Sequence, residues 1–316
     1  MDKKTRKEIK KLLDGFDSKN LSEVTKKRWT YVAEDFLDFI DEKNIKFERV
    51  DPEIVKSYLS NKRKSGIIGN TLKTLFYTLK SCFRVWGKKS IFEELEDYVP
   101  RSSEPERPYF TVDETKQMLQ AGRDYYVQRG DFTGLRDVVM VFISADTGSR
   151  RIQLQRLNRE HFTDLKTLKI PPSFKGGRWT ERKLRKETVK YLEKYIKLRA
   201  DKLGGDLVKS ALFIDKSKKR ISPEAMNYGF NKIKAKAGID KKTGFHGFRR
   251  SKTTRLHKGG LSEIEITRIM GWKEGSKEPH IYAQLDQDEI QNKAVDADEL
   301  MSEKEDDSNE QGGKDV

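Results

Sequence analysis

The sequence predicts a mainly helical protein of two domains with one small β-hairpin. Three observations carry this reading. Apolar residues recur at helical spacing through most of the chain. The stretch PRSSEPERP, residues 100–108, holds three prolines, two serines and no hydrophobic residue, which marks a linker. Only the segment TLKIPPSFKGGRWTERKLRKE shows short alternating runs, on either side of Gly176-Gly177, as a hairpin with a basic tip does. The expected division is a helical domain over residues 1–100, a linker over 101–108, a larger domain over 109–290 and an acidic, disordered tail over 291–316.

In residues 21–43 the pattern Trp29, Val32, Phe36, Phe39, Ile40 gives an amphipathic helix with Ser22 as N-cap. Asp51-Pro52 opens a second helix by the N-cap and first-turn proline rule, carrying Ile54, Val55, Tyr58 and Leu59 until Gly66 and Gly69 break it. Asn70 is expected to cap a third, with Leu72, Leu75, Phe76, Leu79, Cys82 and Phe83 on one side and Lys73, Lys80 and Arg84 among its polar positions. Beyond the linker, Thr111 caps a helix through Met118 and Leu119. The run LRDVVMVFISADTG is an apolar helix reaching Gly148, and helical patterns at residues 188–203 and 223–237 follow the hairpin. A further helix begins in GFHGFRRS, residues 244–251, and the segment AQLDQDEIQNKAV, residues 283–295, places Leu285, Ile290 and Val295 at positions expected on one terminal helix.

Composition narrows the partners. Among 316 residues, 37% are charged and 34% hydrophobic, so small cores under a charged surface are expected. The net charge of +15 is uneven: residues 286–316 carry twelve acids against three lysines, leaving +24 for residues 1–285. Such a body suits a polyphosphate, although net charge alone also fits an anionic membrane or a merely lysine-rich surface. Cys82 is the sole cysteine, which rules out an intramolecular disulfide and a cysteine-rich metal site and predicts a reducing, cytoplasmic setting. No run of about 18 apolar residues occurs, and the first residues lack an apolar core, so neither membrane span nor export is expected.

Chemistry is suggested by basic residues at three turn-to-helix or turn positions of the second domain: Arg150 after Thr147-Gly148, Lys175 before a Gly-Gly turn, and Arg249 with His246. Each alone fits a solvated surface cation. Together they fit a phosphodiester under in-line attack, whose non-bridging oxygens gain charge that two guanidinium forks can hold. A lysine on a hairpin tip can protonate a leaving 5′-oxygen. Tyr282, in EPHIYAQL ten residues after Trp272, can serve as nucleophile once cations stabilise its phenolate and His246 helps remove the proton. His161 and His257 read as surface residues, and the histidines show no metal-ligand spacing.

Thr147-Gly148-Ser149-Arg150 with Leu154 and Leu157, then His246-Gly247-Phe248-Arg249, then Gly271-Trp272 and Tyr282, resemble in order and spacing the boxes of the tyrosine recombinase (phage integrase) family. The likeness runs from about Ser22 to Ala294, since the N-terminal helices are similar to the family's SAM-like core-binding domain. The segment GSKEPHIYAQLD most resembles archaeal integrases of this family. Two positions depart from the common pattern. Gln153 stands where an acidic residue usually follows the first arginine, which implies support through a neutral hydrogen bond. Trp272 stands where many members have a second histidine, implying an indole that donates to a phosphate oxygen and packs beside Tyr282.

The resemblance implies an enzyme: a site-specific DNA recombinase in which Tyr282 forms a 3′-phosphotyrosyl link, with Arg150, Arg249, His246, Lys175 and Trp272 completing the catalytic set. Lys183 on the same hairpin is the second candidate for the lysine's role. No metal, ATP or other cofactor is expected. The partners implied are duplex DNA with attachment-type sites, a homotetramer on two sites, and accessory proteins. Lys26, Lys27, Lys73 and Lys80 would supply phosphate contacts, with the two domains clamping DNA and the linker crossing it. The expected role is integrase of an archaeal virus or mobile element. A chromosome-dimer resolvase, a type IB topoisomerase-like enzyme and a non-catalytic DNA-binding relative are the alternatives.

Overall fold

The computed structural model describes residues 8–12, 14–15, 21–100, 108–162, 164–173, 177–276 and 278–279. Lys175, Tyr282 and the acidic tail lie outside the described residues, as does nearly all of the linker. The chain divides into two compact units, Met1–Arg107 and Pro108–Val316.

The first unit is helical. Helix α1 spans Glu23–Glu42, α2 Pro52–Lys64, α3 Gly69–Val85 and the short α4 Ser90–Glu93. Ser22 caps α1 by accepting from the Thr25 amide at 3.2 Å, and Asp51 caps α2 by accepting from Ile54 at 2.9 Å. The third cap differs from expectation. Helix α3 begins two residues earlier, with Ile68 at its N-cap and no side-chain capping bond, and Asn70 lies inside the first turn. There its carbonyl accepts from the Thr74 hydroxyl at 2.8 Å. The core is a chain of edge-to-face aromatics: Phe36 meets Tyr58 at 5.2 Å and Phe83 at 5.3 Å, and Phe92 meets Phe83 at 5.1 Å and Phe76 at 5.3 Å. Such contacts give a small unit rigidity beyond the area they bury.

The second unit is built around one buried helix. Helix α5 (Val112–Arg129) starts at a capping box, in which Thr111 accepts from the Glu114 amide and Glu114 accepts from the Thr111 amide. Helix α6 (Phe132–Thr147) is buried from Thr133 to Thr147, so its apolar run is a core helix with neighbours on every side. Packed on it are α5, α8 (Lys186–Leu203), α9 (Pro223–Lys236) and α10 (Phe245–Lys258). The five-residue α7 (Arg151–Gln155) follows α6 directly, and α11 (Glu263–Met270) packs on α10. Strands β1 (Thr167–Ile170) and β2 (Thr180–Lys183) pair antiparallel with Thr167 opposite Lys183 and Ile170 opposite Thr180. Among the described residues this is the one sheet, beside three isolated bridges. Two histidines depart from a surface reading. His161 is half-buried, accepts from the Asn158 amide at 3.1 Å and meets Trp179 edge-on at 5.1 Å. His257 is also half-buried, with its Nε2 3.2 Å from the Pro279 carbonyl.

The turn between α5 and α6 is held by Asp131, the N-cap of α6. Its carboxylate accepts from the Gly134 amide at 2.7 Å, pairs with Arg129 at 2.7 Å and takes the Thr133 hydroxyl at 2.8 Å. The arginine beside it and these N–H and O–H donors hold the carboxyl well below the usual carboxylate range. Asp131→Ala should therefore cost about 1–2 kcal/mol at neutral pH, the range for losing an N-cap, with the solvent-screened Arg129 pair adding little. A depressed carboxyl stabilises the fold above its unfolded value of about 3.9 and loses that effect as pH falls. Urea melts of both proteins at pH 7 and in acid check this: the gap between them should narrow in acid.

Candidate active site

Three chain segments meet where α6 ends and α10 begins. Helix α6 stops at Gly148, which sits at φ +64°, and Arg150 then stands at the N-cap of α7. A Cβ on Gly148 would lie 3.3 Å from the Arg249 Cα and 2.9 Å from the Met270 Cε, so both the left-handed turn and the close approach call for glycine. Gly247 has a similar reason: a Cβ there would stand 2.7 Å from Phe110, whose ring packs against Phe248 at 4.8 Å. The first residues after the linker thereby pin the start of α10, and the Phe110 amide donates to the Ser251 hydroxyl at 2.9 Å.

Arg249 is 2% exposed. Its guanidinium donates to the Gly148 carbonyl at 3.1 Å and the Met270 carbonyl at 2.8 Å, and lies over the Trp272 ring at 4.9 Å. Two of the five donors the sequence reading gave to phosphate are thus committed to backbone. Trp272 is buried with Ile266 and Met270, and its indole forms the floor under that guanidinium. Arg150 donates from Nη1 to the Ser173 hydroxyl at 3.2 Å on the arm leading out of β1. Gln153 does not reach the Arg150 guanidinium in any hydrogen bond described. Its Oε1 accepts from the Arg150 amide at 2.9 Å and its Nε2 donates to the Pro171 carbonyl at 2.9 Å, so it fixes the arginine's backbone and ties it to the hairpin. The hairpin is anchored again where Thr180, opening β2, packs against Gly271.

His246, in the first turn of α10, is the electrostatic probe of this arrangement. Burial, and then the charges of Arg250, Arg249 and Arg150, push its imidazole down to about 4. The structure therefore brings together Arg150, His246, Arg249 and Trp272; Lys175 and Tyr282 fall outside the described residues. Sequence reasoning missed Ser173, which receives Arg150, and assigned no role to Arg250, which bears on His246 and donates to the Pro108 carbonyl at 3.0 Å. The doubled arginine in GFHGFRRS was the available signal for the second.

The four lysines named for phosphate contact lie in the first unit. Lys27 is exposed on α1 next to Arg28, one turn before the exposed Tyr31. Lys26 is half-buried and pairs with Glu23 at 3.4 Å, which makes it the weakest of the set. Lys73 and Lys80 flank the exposed Tyr77 on one strip of α3 that ends at Arg84, an aromatic set among cations. Among the described residues no helix is long and apolar enough to cross a membrane.

Comparison with known proteins adds a family and a fold. The sequence model of the phage integrase family matches residues 108–289, and that of the phage integrase SAM-like domain matches residues 7–98. A tyrosine recombinase XerC of Alcanivorax borkumensis is 21% identical over 224 residues, covering 69% of this chain and 70% of that protein. XerC of Caldanaerobacter subterraneus is 26% identical over 204 residues, covering 64% and 54%. Among solved structures, XerH recombinase bound to a palindromic difH substrate aligns with a TM-score of 0.68 at 17% identity, covering 89% of this chain and 82% of that one. The Tn1549 transposon integrase in complex with circular-intermediate DNA aligns at 0.66 and 16% identity, covering 91% and 98%. At such identities the structural likeness bears on fold: two units, mostly helical, with a small sheet.

The histidine gives a test of the site's electrostatics. A histidine whose folded value lies below its unfolded one near 6.5 contributes stability above that pH and loses it as pH falls toward 4. Ring-nitrogen NMR of the free protein, with His246→Gln for assignment, should show this imidazole neutral down to about pH 4. Duplex DNA should raise the value, because a phosphate offsets the surrounding arginines. An ordinary titration near 6.5 in the free protein would contradict the geometry.

Proposed function

Because the chain belongs to the phage integrase family, the tyrosine recombinases, which are DNA strand transferases, we propose that it exchanges DNA strands at specific sites through Tyr282. The observation that carries this reading is the convergence of Arg150, Arg249 and Arg250 on a half-buried His246 that stays neutral at physiological pH. Cations gathered around a neutral base are arranged for an anion that arrives with a proton to lose nearby.

The Tyr282 oxygen attacks phosphorus, its proton passing to His246, while the bond from phosphorus to the 5′-oxygen breaks. Lys175 gives that oxygen a proton, so a 5′-hydroxyl leaves and a 3′-phosphotyrosyl link remains. Attack by a 5′-hydroxyl of the partner strand reverses the steps. Each phosphodiester is exchanged for another ester of similar energy, so the reaction needs no nucleotide hydrolysis. The guanidinium groups supply the charge that a metal supplies in other phosphoryl transfers. A free imidazole at about 4 is a weak base, and the incoming phosphate is what raises it toward usefulness.

The preferred role is integration of a mobile element, archaeal in type, supported by the GSKEPHIYAQLD segment. A chromosome-dimer resolvase is the second reading, favoured by the two XerC relatives. On paired sites the protein works as a homotetramer.

Tyr282→Phe should abolish the covalent protein–DNA adduct formed on nicked cognate duplex while binding is kept; denaturing gels read it, and an adduct that survives the substitution refutes the nucleophile. Arg150→Ala and Arg249→Ala should each slow cleavage about 10²–10³-fold, the effect of losing one donor aimed at a developing charge. In single-turnover assays Arg249→Ala should also lower the melting temperature, because it removes two ties to backbone, whereas Arg150→Ala should leave it nearly unchanged.

A further inference from the structure

A second cluster of cations lies behind the catalytic turn. A cavity of about 360 Å³ is lined by Asp146, Lys183, Arg185, Lys252 and Arg255, with Lys116 at its side. Asp146 is the sole carboxylate of that lining, and Arg185 takes up both of its oxygens. The Arg185 amide donates to Oδ2 at 3.0 Å and its Nε pairs with Oδ1. Arg255 donates to the Ala145 carbonyl at 2.9 Å, and Lys116 is paired with Asp113 at 3.1 Å. Lys252 is half-buried, and among the described residues its ammonium makes no hydrogen bond or ion pair. Among the described residues, four cations of the lining therefore face one carboxylate, an excess of three positive charges.

The protein's own charges press on one another there. Burial and then Arg255 hold the Lys252 ammonium below the usual lysine range, and burial and then Arg185 act likewise on Arg255. Half-desolvated cations are costly unless something anionic meets them. Chloride would offset a single charge, and a carboxylate offers two oxygens where one is already bound. Free phosphate carries up to two charges and a backbone phosphodiester one, and the oxygens of either are spread tetrahedrally, so that guanidinium groups and an ammonium can share them.

We propose that this cavity is a second phosphate-binding site, separate from the one between Arg150, His246 and Arg249, holding its ligand through Arg185, Lys252 and Arg255. It is mechanically close to the first. Asp146 is four residues before Arg150, and Lys252 is one turn after Arg249 on α10. The phosphate comes from a DNA backbone or from free phosphate, and the test separates the two.

Thermal unfolding is followed in potassium phosphate and in potassium chloride at equal pH and ionic strength. Wild type should melt higher in phosphate. Lys252→Gln should be at least as stable as wild type in chloride, since it removes an unpaired cation, and should lose half or more of the phosphate gain. Lys252→Arg should keep that gain. Arg150→Gln should also keep the share that Lys252→Gln removes. Salt titration of duplex binding gives the source: a backbone phosphate in the cavity makes the log–log slope of Lys252→Gln shallower by about one, and free phosphate leaves it unchanged. Equal phosphate gain in wild type and Lys252→Gln overturns the proposal, as does Lys252→Gln being the less stable protein in chloride. None of these readouts needs strand cleavage, so the outcome is independent of the Tyr282 adduct.

Discussion

The arrangement depends on one guanidinium. Arg249 is as buried as the core leucines, yet it carries a full charge, and it survives there because Gly148 and Met270 offer it carbonyl oxygens and Trp272 offers its ring. Those partners come from the end of α6, the end of α11 and the residue just past the turn that follows it. A single side chain thus ties three distant parts of the sequence to one point. The left-handed turn at Gly148 makes this possible, because it presents a carbonyl to Arg249 while bringing the two backbones within touching distance.

From that tie the rest of the site follows. With α6 fixed in the core and α10 fixed to it, Arg150 and His246 have little choice of position. Gln153 then passes the constraint to the hairpin arm through the Pro171 carbonyl, and Thr180 passes it back through Gly271. A site held in this way has its reorganisation completed before a substrate arrives, which is where most electrostatic catalysis gains its rate. The cost appears in the depressed imidazole of His246 and in the strained ammonium of Lys252. Both register burial first, and then cations crowded together.

Much of this was legible from sequence where the physics is local. Ser22, Asp51-Pro52 and Thr111 announce their helices because capping involves neighbours three residues apart. The apolar run through α6 and the alternating strands are local patterns too. Asn70 misled because a good capping residue stood two positions too late, and Ile68 took the cap without a side-chain bond. The order of the catalytic boxes was also readable, but the use of each donor was not. Spacing cannot say that Arg249 gives two N–H groups to carbonyls about a hundred and about twenty residues away, nor that Gln153 serves a backbone amide. The Asp146 cluster was invisible for the same reason: its members come from α6, β2, the segment after β2 and α10, and no linear pattern joins them. His161 and His257 looked like surface residues because nothing in sequence shows that Trp179 and Pro279 come to meet them.

Helix α10 shows where function outweighs local stability. Its first turn carries the neutral His246, and Arg249 and Arg250 follow in the second, toward the positive end of the helix dipole, where acidic residues would be favoured. Its apolar contribution is slight, resting on Phe245 and Phe248 against Phe110 and Phe230. The helix is therefore held by tertiary packing and by Arg249, not by its own propensity. The positive dipole end and the two arginines beside the neutral His246 favour one thing, an oxyanion at that end. A DNA phosphate would relieve the same repulsions that weaken the free helix, so binding and ordering of this helix reinforce each other.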